Sequence, residues 1–142
     1  MIRIRKAPRR MYPVLQVLCD KLLLEDGHVS VWKSNGEYWI AEDRTSGAIV
    51  AYAGLVRSGR YSNVVYFNAA GVIESARGKG IQRRLIRARL RWAKNHGSDW
   101  AVTDTTCDNI PSMRNLQACG FRPYWPTHCW RVPGAVYWSR KL

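Results

Sequence analysis

Apolar and polar residues fall into blocks of two different periods. Ile2–Lys6 alternates apolar and basic side chains, the pattern of a short strand. Across residues 11–24, the apolar positions Val14, Leu15, Leu18, Leu22 and Leu23 recur at helical spacing, and Gly27 follows as a stop signal. Residues 37–42 and 48–57 read as strands joined by the turn Arg44-Thr45-Ser46-Gly47, and residues 58–62 form a second turn. Residues 63–73 are a long run of β-formers, the mark of a strand buried on both faces. Residues 81–96 read as a helix closed by Gly97, and residues 99–105 as another strand. Residues 111–119 form a short helix with Pro111 in its first turn and Gly120 after its end. Residues 121–125 and 135–140 supply the last two strands. The order is β-α-β-β-β-α-β-α-β-β, and helices between the later strands imply an α/β (α+β) mixed sheet with crossovers. With 142 residues and no internal repeat or linker, a single domain over 1–142 is expected.

The helix at 81–94 has two faces. Ile81, Leu85, Ile86, Ala88, Leu90, Trp92 and Ala93 occupy an arc of roughly 200°. Arg83, Arg84, Arg87, Arg91 and Lys94 share the remaining ~100°. Arg89 alone projects into the apolar arc, where it would snorkel to solvent. No acidic residue lies between Glu74 and Asp99, so solvent or a ligand must screen the basic stripe. It is either a solvated face or a contact for an acidic partner.

Charge sharpens this picture. The formal net charge is +13, which favours anionic partners: phosphorylated cofactors, nucleic acid, acidic proteins or membrane surfaces. Seven Trp and seven Tyr supply either a bulky core or the walls of a pocket. Cys19, Cys107, Cys119 and Cys129 make no C-x-x-C pair and no zinc spacing, and His128 beside Cys129 is too little for a metal site. Free thiols in a reducing cytoplasm are expected, and no metal. No apolar run is long enough to span a membrane. Pro13, Gln16 and Asp20 interrupt any signal-peptide core near the N-terminus. The chain is expected to be a monomer or a homodimer.

Residues 74–85 read ESARGKGIQRRL. Gly78 and Gly80 permit backbone conformations closed to other residues. Between a strand end and a helix start they can turn several N–H groups inward, with the helix dipole and the charges of Arg77 and Lys79 behind them. That is the physics of a diphosphate cradle. A P-loop is excluded, because Ile73 stands where its first glycine belongs and Gly80 follows the lysine. A dinucleotide fingerprint is excluded by Arg83 at its third glycine position.

Here the chain resembles the GNAT superfamily of N-acetyltransferases. The family pattern Arg/Gln-x-x-Gly-x-Gly/Ala reads Arg77-Gly78-Lys79-Gly80-Ile81-Gln82, after a strand with Val72 at the family's valine position. A second family element is matched by Asn109, Gly120 and Phe121, with Ser112 in its alanine place and Leu116 in its tyrosine place. The element order agrees from the first strand to the last. The resemblance implies acetyl-CoA, or another acyl-CoA, lying between splayed strands at 63–73 and 99–105. Main-chain N–H groups from Arg77 to Gln82 would hold its pyrophosphate. Those near Val72 and Ile73 would meet the pantetheine arm and polarise the acyl carbonyl. Asn109, with Ser112 beside it, would contact the arm from the other side. Gln82 departs from the pattern and crowds the cradle. Leu116 removes the tyrosine that protonates the leaving thiolate in many members, and Cys107, Ser112, Tyr124 and Tyr137 remain as alternatives.

For the base, Asp104 ends the strand that faces the acyl group, unless it only closes a turn beside Thr105 and Thr106. Tyr66 and Asn68 lie on the preceding strand. Glu74 is near in sequence but occupies a position that points away, and His28, His96 and His128 lack motif support. Residues 121–142, bent by Pro123, Pro126 and Pro133, are expected to shape the acceptor pocket. The leading expectation is direct attack of an acceptor's primary amine on acyl-CoA in a ternary complex, with the acceptor open. The acceptor could be a protein lysine or N-terminus, an aminoglycoside, a polyamine or an aminoacyl group, although a basic protein is a poor host for a polycation. The alternative is a basic module on a catalytically weak scaffold that contacts RNA or an acidic protein through Arg83, Arg84, Arg87, Arg91 and Lys94, with Tyr124, Trp125 and Trp130 as contact aromatics.

Overall fold

Among the described residues seven strands form one mixed sheet in the order β1-β2-β3-β4-β5-β7-β6. The computed structural model describes residues 1–22, 35–127 and 134–142. The strands are β1 (Ile2–Lys6), β2 (Glu37–Asp43), β3 (Ile49–Arg57), β4 (Val64–Val72), β5 (Trp100–Thr105), β6 (Arg122–Tyr124) and β7 (Val136–Lys141). The helices are α1 (Tyr12–Leu22), α2 (Ile81–Asn95) and α3 (Ile110–Ala118). Among the described residues only β4 and β5 pair in parallel, which requires the crossover that α2 provides. The expected element order and mixed sheet are therefore found.

Strand alternation gives the sheet two apolar faces. Tyr38, Ile40 and Tyr52 face α1, where Tyr12, Leu15 and Cys19 cover them. Trp39, Ala41, Leu55, Val65 and Phe67 face α2, against Leu85, Ile86, Leu90 and Ala93. Full burial of a side chain such as Leu85 contributes about 1.5–3 kcal/mol.

Several boundaries move. A single helical turn at Arg9–Met11 precedes α1, and residues 23 and 24, Gly27 and His28 lie outside the described residues. So do His128, Cys129, Trp130 and Pro133. α3 begins at Ile110, because the Asn109 side chain caps it by accepting from the Ser112 N–H at 3.2 Å. The strand expected at 121–125 shortens to β6, since Phe121 turns into the core and packs 5.7 Å from Phe67.

Arg89 corrects the snorkelling expectation. It is 2% exposed, and its guanidinium points down into the sheet. The reason is a bulge in β4. Gly54 pairs with Ala69 and Val56 with Tyr66, so Phe67 and Asn68 together oppose the single residue Leu55. The Arg89 Nη1 donates to the Gly54 carbonyl at 2.9 Å and to the Ala69 carbonyl at 3.5 Å. Bonding those carbonyls draws the side chain inward.

Candidate active site

The parallel pairing of β4 and β5 is short. It runs from Val64↔Trp100 to Tyr66↔Val102, while β4 continues to Val72 and β5 to Thr105. Beyond Tyr66 the two strands have no ladder between them, and a slot opens.

The wide end of the slot lies at the start of α2. A cavity of about 1000 Å³ is lined there by Gly78, Gly80, Gln82, Arg83, Asn109 and Ser112, among others. Gly78 and Gly80 have φ of +74° and +72°, the left-handed region glycine tolerates. A Cβ added at either would meet nothing within 4 Å, so the loop's concave side is open. No side chain caps α2, which leaves its first N–H groups free for a ligand. The Arg77 Nε donates to the Val72 carbonyl at 3.1 Å and pins the loop to the end of β4. No carboxylate lines this cavity among the described residues, whereas Arg77, Arg83 and Arg114 do. The residues present therefore fit a diphosphate. Val72, Ile81 and Asn109 also line the cavity. Ile73 and Lys79 do not: the Ile73 N–H bonds the Val50 carbonyl at 3.0 Å, and Lys79 is exposed.

Gln82 does not fill the cradle. Its side chain turns to α3, donating to the Ser112 hydroxyl at 3.2 Å and accepting from Asn115 Nδ2 at 2.8 Å. Arg83 Nε donates to Asn115 Oδ1 at 2.9 Å. This chain of polar contacts ties the first turn of α2 to α3 across the slot. Arg84 turns the other way and bonds the Ile2 carbonyl at 3.0 Å, away from the cradle.

A second cavity, of about 270 Å³, adjoins the first through Ala70, Gln82, Asn109 and Ser112. Phe67, Arg89, Thr103, Asp104, Thr105 and Leu116 form its deeper wall. The Thr103 hydroxyl bonds the Phe67 carbonyl at 3.0 Å, linking β5 to the bulge. The Tyr66 hydroxyl donates to Asp104 Oδ1 across the opening. Tyr66 also lines an aromatic pocket of about 660 Å³ with Tyr61, Trp100 and Tyr124. Tyr124 packs edge-on to Tyr137, which is the register partner of Asp104. Asn68 also lines the inner cavity, and its Nδ2 donates to the Tyr38 hydroxyl at 3.2 Å, which ties it to β2. Thus Tyr66, Asp104 and Tyr124 share the region between slot and aromatic pocket, and Asn68 borders the inner cavity from β4. Trp125 is 97% exposed and joins neither cavity.

The model of the Acetyltransferase (GNAT) family matches residues 3–121. The chain belongs to this family. An aminoglycoside N(6')-acetyltransferase type 1 of Salmonella typhimurium is 37% identical over 60 residues, which is 42% of this chain and 41% of that protein. The chain thus spans about two fifths of the length of the curated relatives it matches. The fold is shared with an IAA acetyltransferase from Bacillus cereus, at a TM-score of 0.80 and 17% identity over the whole of both chains. A putative acetyltransferase of Salmonella typhimurium, solved with its cofactor acetyl-CoA, superposes at a TM-score of 0.79 and 15% identity, over 99% of this chain and 93% of its own.

Sequence reasoning missed two features of this GNAT site. The sequence places Gln82 as a residue that crowds the cradle without abolishing its backbone contacts, and nothing in its spacing to Ser112 or Asn115 announces a bond across helices. Arg89 had a signal, because a lone arginine in an apolar arc needs an internal partner when it cannot reach water. Among the described residues, no three His, Cys, Asp or Glu side chains gather as a metal site.

Proposed function

We propose that this protein transfers an acyl group, acetyl in the simplest case, from acyl-CoA to a primary amine. One observation carries the reading: the open glycine cradle leads directly into the slot where β4 and β5 part, and the slot ends at the Tyr66–Asp104 pair. The loop N–H groups from Gly78 to Gln82 would hold the diphosphate of CoA, and Asn109 and Ser112 would border its arm. When bound, acyl-CoA supplies an activated thioester. The amine nitrogen forms the new N–C bond, the C–S bond breaks, the amine proton passes to Asp104, and CoA leaves as the thiolate. Tyr66 orients the Asp104 carboxylate by its hydrogen bond. The thiolate takes its proton from solvent, and the Ser112 hydroxyl in the slot would stabilise it as a hydrogen-bond donor.

The acceptor would enter over the aromatic pocket. No carboxylate lines that pocket among the described residues. This disfavours a polycationic acceptor such as an aminoglycoside and suits an amine on an apolar or aromatic body. Titration with acetyl-CoA, followed by CoA release against a panel of amines, tests the reading. A dissociation constant weaker than about 100 μM for both CoA and acetyl-CoA would sink it.

A second reading concerns the basic face of α2. Arg84, Arg87 and Arg91 line a groove of about 560 Å³ with Arg5 and Lys6 of β1. Arg5 and Lys6 pair with Glu42 and Glu37, but no carboxylate pairs with Arg87 or Arg91 among the described residues. Trp92 is enclosed by His96, Trp39, Lys6 and Arg57, so it offers no face for a base. The groove suits a phosphate backbone, as in RNA, rather than stacking. Charge removal at Arg87 and Arg91 should flatten the salt dependence of RNA binding, and an unaltered slope rejects this contact. Among the described residues Cys19, Cys107 and Cys119 form no disulfide, which accords with a reducing, cytoplasmic setting.

A further inference from the structure

Arg89 is a buried cation beside the reacting end of the slot. Its Nη1 bridges the Gly54 and Ala69 carbonyls, its Nε donates to the Leu85 carbonyl at 3.3 Å, and its guanidinium lies 4.1 Å over the Phe67 ring. No carboxylate pairs with it among the described residues. Burial lowers its pKa to about 9, so it remains charged at neutral pH. It stands eight residues beyond Ile81, about 12 Å along α2 from the cradle. That depth is the level of the β4 bulge, and Arg89 lines the inner cavity with Ala69 and Ala70.

A neutral amide side chain could satisfy the same carbonyls with a far smaller desolvation penalty. The charge therefore needs a reason beyond clasping the bulge. The backbone geometry supplies one. Ala69 pairs with Gly54, and the guanidinium bridges both carbonyls, so the Ala69 carbonyl faces β3. Within one trans peptide unit the carbonyl and the N–H point in opposite directions. The Ala70 N–H therefore faces β5, past Tyr66↔Val102, where no ladder remains.

We propose that Arg89 is a positioning residue that polarises the Ala69–Ala70 peptide and so strengthens the Ala70 N–H as a donor to the thioester carbonyl. A cation on the peptide oxygen draws electron density from the nitrogen, and hydrogen bonds in such a chain reinforce each other by roughly 10–30%. The unneutralised charge adds its own field, which acts strongly in a site of low dielectric. The proposal rests on the acyl-transfer reading, since it needs a thioester in the slot.

Infrared difference spectroscopy of acetyl-CoA labelled with ¹³C at the carbonyl tests it without any acceptor amine. The wild-type protein should lower the carbonyl stretch relative to the free thioester. In Arg89→Gln at least about half of that shift should disappear, with Arg89→Lys in between, while the affinity for CoA, which has no acyl carbonyl, stays within about threefold. A wild-type stretch equal to that of free acetyl-CoA overturns the proposal even if the variants fail to fold. So does a full shift retained in Arg89→Gln. A wild-type preference of about tenfold or more for malonyl-CoA over acetyl-CoA also overturns it, because the charge would then serve a ligand carboxylate. If neither CoA nor acetyl-CoA binds, the acyl-transfer reading fails with it. Binding with an unshifted carbonyl defeats only the role of Arg89.

Discussion

Tyr66 on β4 and Asp104 on β5 are joined by a hydrogen bond from the tyrosine hydroxyl to Oδ1, just past the point where the two strands stop pairing. Tyr66 reaches it from the aromatic pocket and Asp104 from the inner cavity. The bond therefore spans the boundary between the two spaces an amine and a thioester would occupy. Asp104→Asn should lower kcat by about 10²–10⁴, the usual contribution of a positioned base. Acetyl-CoA affinity should stay unchanged. Tyr66→Phe should lower kcat less, because it loosens the carboxylate without removing it. Steady-state kinetics with the best amine of the panel checks both, and equal activity in Asp104→Asn removes Asp104 as the base.

Gln82 holds α2 to α3 through Ser112 and Asn115. Gln82→Ala should destabilise the protein by about 1–2 kcal/mol, the net worth of one or two such bonds. Acetyl-CoA affinity should change less than about threefold if the loop holds the ligand through its backbone, as proposed. Chemical denaturation and calorimetric titration measure the two effects separately. A loss of affinity beyond about tenfold would mean that the amide touches the ligand.

Gly80 offers a cleaner probe of the cradle. At φ +72° an alanine costs about 1–2 kcal/mol of backbone strain, although its Cβ meets no atom of the protein. That Cβ is the first obstacle placed on the open loop. Gly80→Ala should weaken CoA binding by about tenfold or more. Gly59, which also has free space but no positive φ, should tolerate alanine with no change in affinity. Equal effects at the two sites would mean that the loop is not the diphosphate cradle.

Much of this was legible in the chain. The apolar periods found the strands and helices because each element buries one face, and the two glycines marked a loop that lines the large cavity at the start of α2. The family resemblance implies that β4 and β5 splay, but the residues do not show where: 63–73 are β-formers throughout, and no residue signals that pairing stops at Tyr66. The bulge at Phe67 and Asn68 was hidden for the same reason: β-propensity does not record register. Arg89 and Gln82 were misjudged because their partners, the Gly54 carbonyl and Ser112, are distant in sequence. The Tyr66–Asp104 bond was half visible. Both residues were candidates, and only the packing of two strands showed that they meet.

Asp43 gives a control on stability away from the site. The Thr45 N–H, bonded to its Oδ1 at 2.9 Å, holds its carboxyl below the ordinary 3.8. A depressed carboxyl contributes stability above its unfolded-state pKa and loses it as pH falls through the folded one. Asp43→Asn should therefore be less stable than wild type at neutral pH, and the difference should close below about pH 4. Urea midpoints at several pH values follow this, and a difference that persists at pH 2 would contradict it.

In the proposed reaction, Leu116 leaves the slot without an acidic side chain at that position. It is 5% exposed, lines the inner cavity, and stands where the family pattern has a tyrosine. A larger ring there overpacks the site, at about 1–3 kcal/mol, so Leu116→Tyr must be compared with Leu116→Phe rather than with wild type. The two variants differ by one hydroxyl. If the slot lacks a strong acid, Leu116→Tyr should exceed Leu116→Phe in kcat by about tenfold near neutral pH. The advantage should shrink as pH rises past about 8.5, the range of an ordinary thiol, because the thiolate then leaves without a proton. Equal rates at all pH values would mean that Ser112 or another group already performs the protonation.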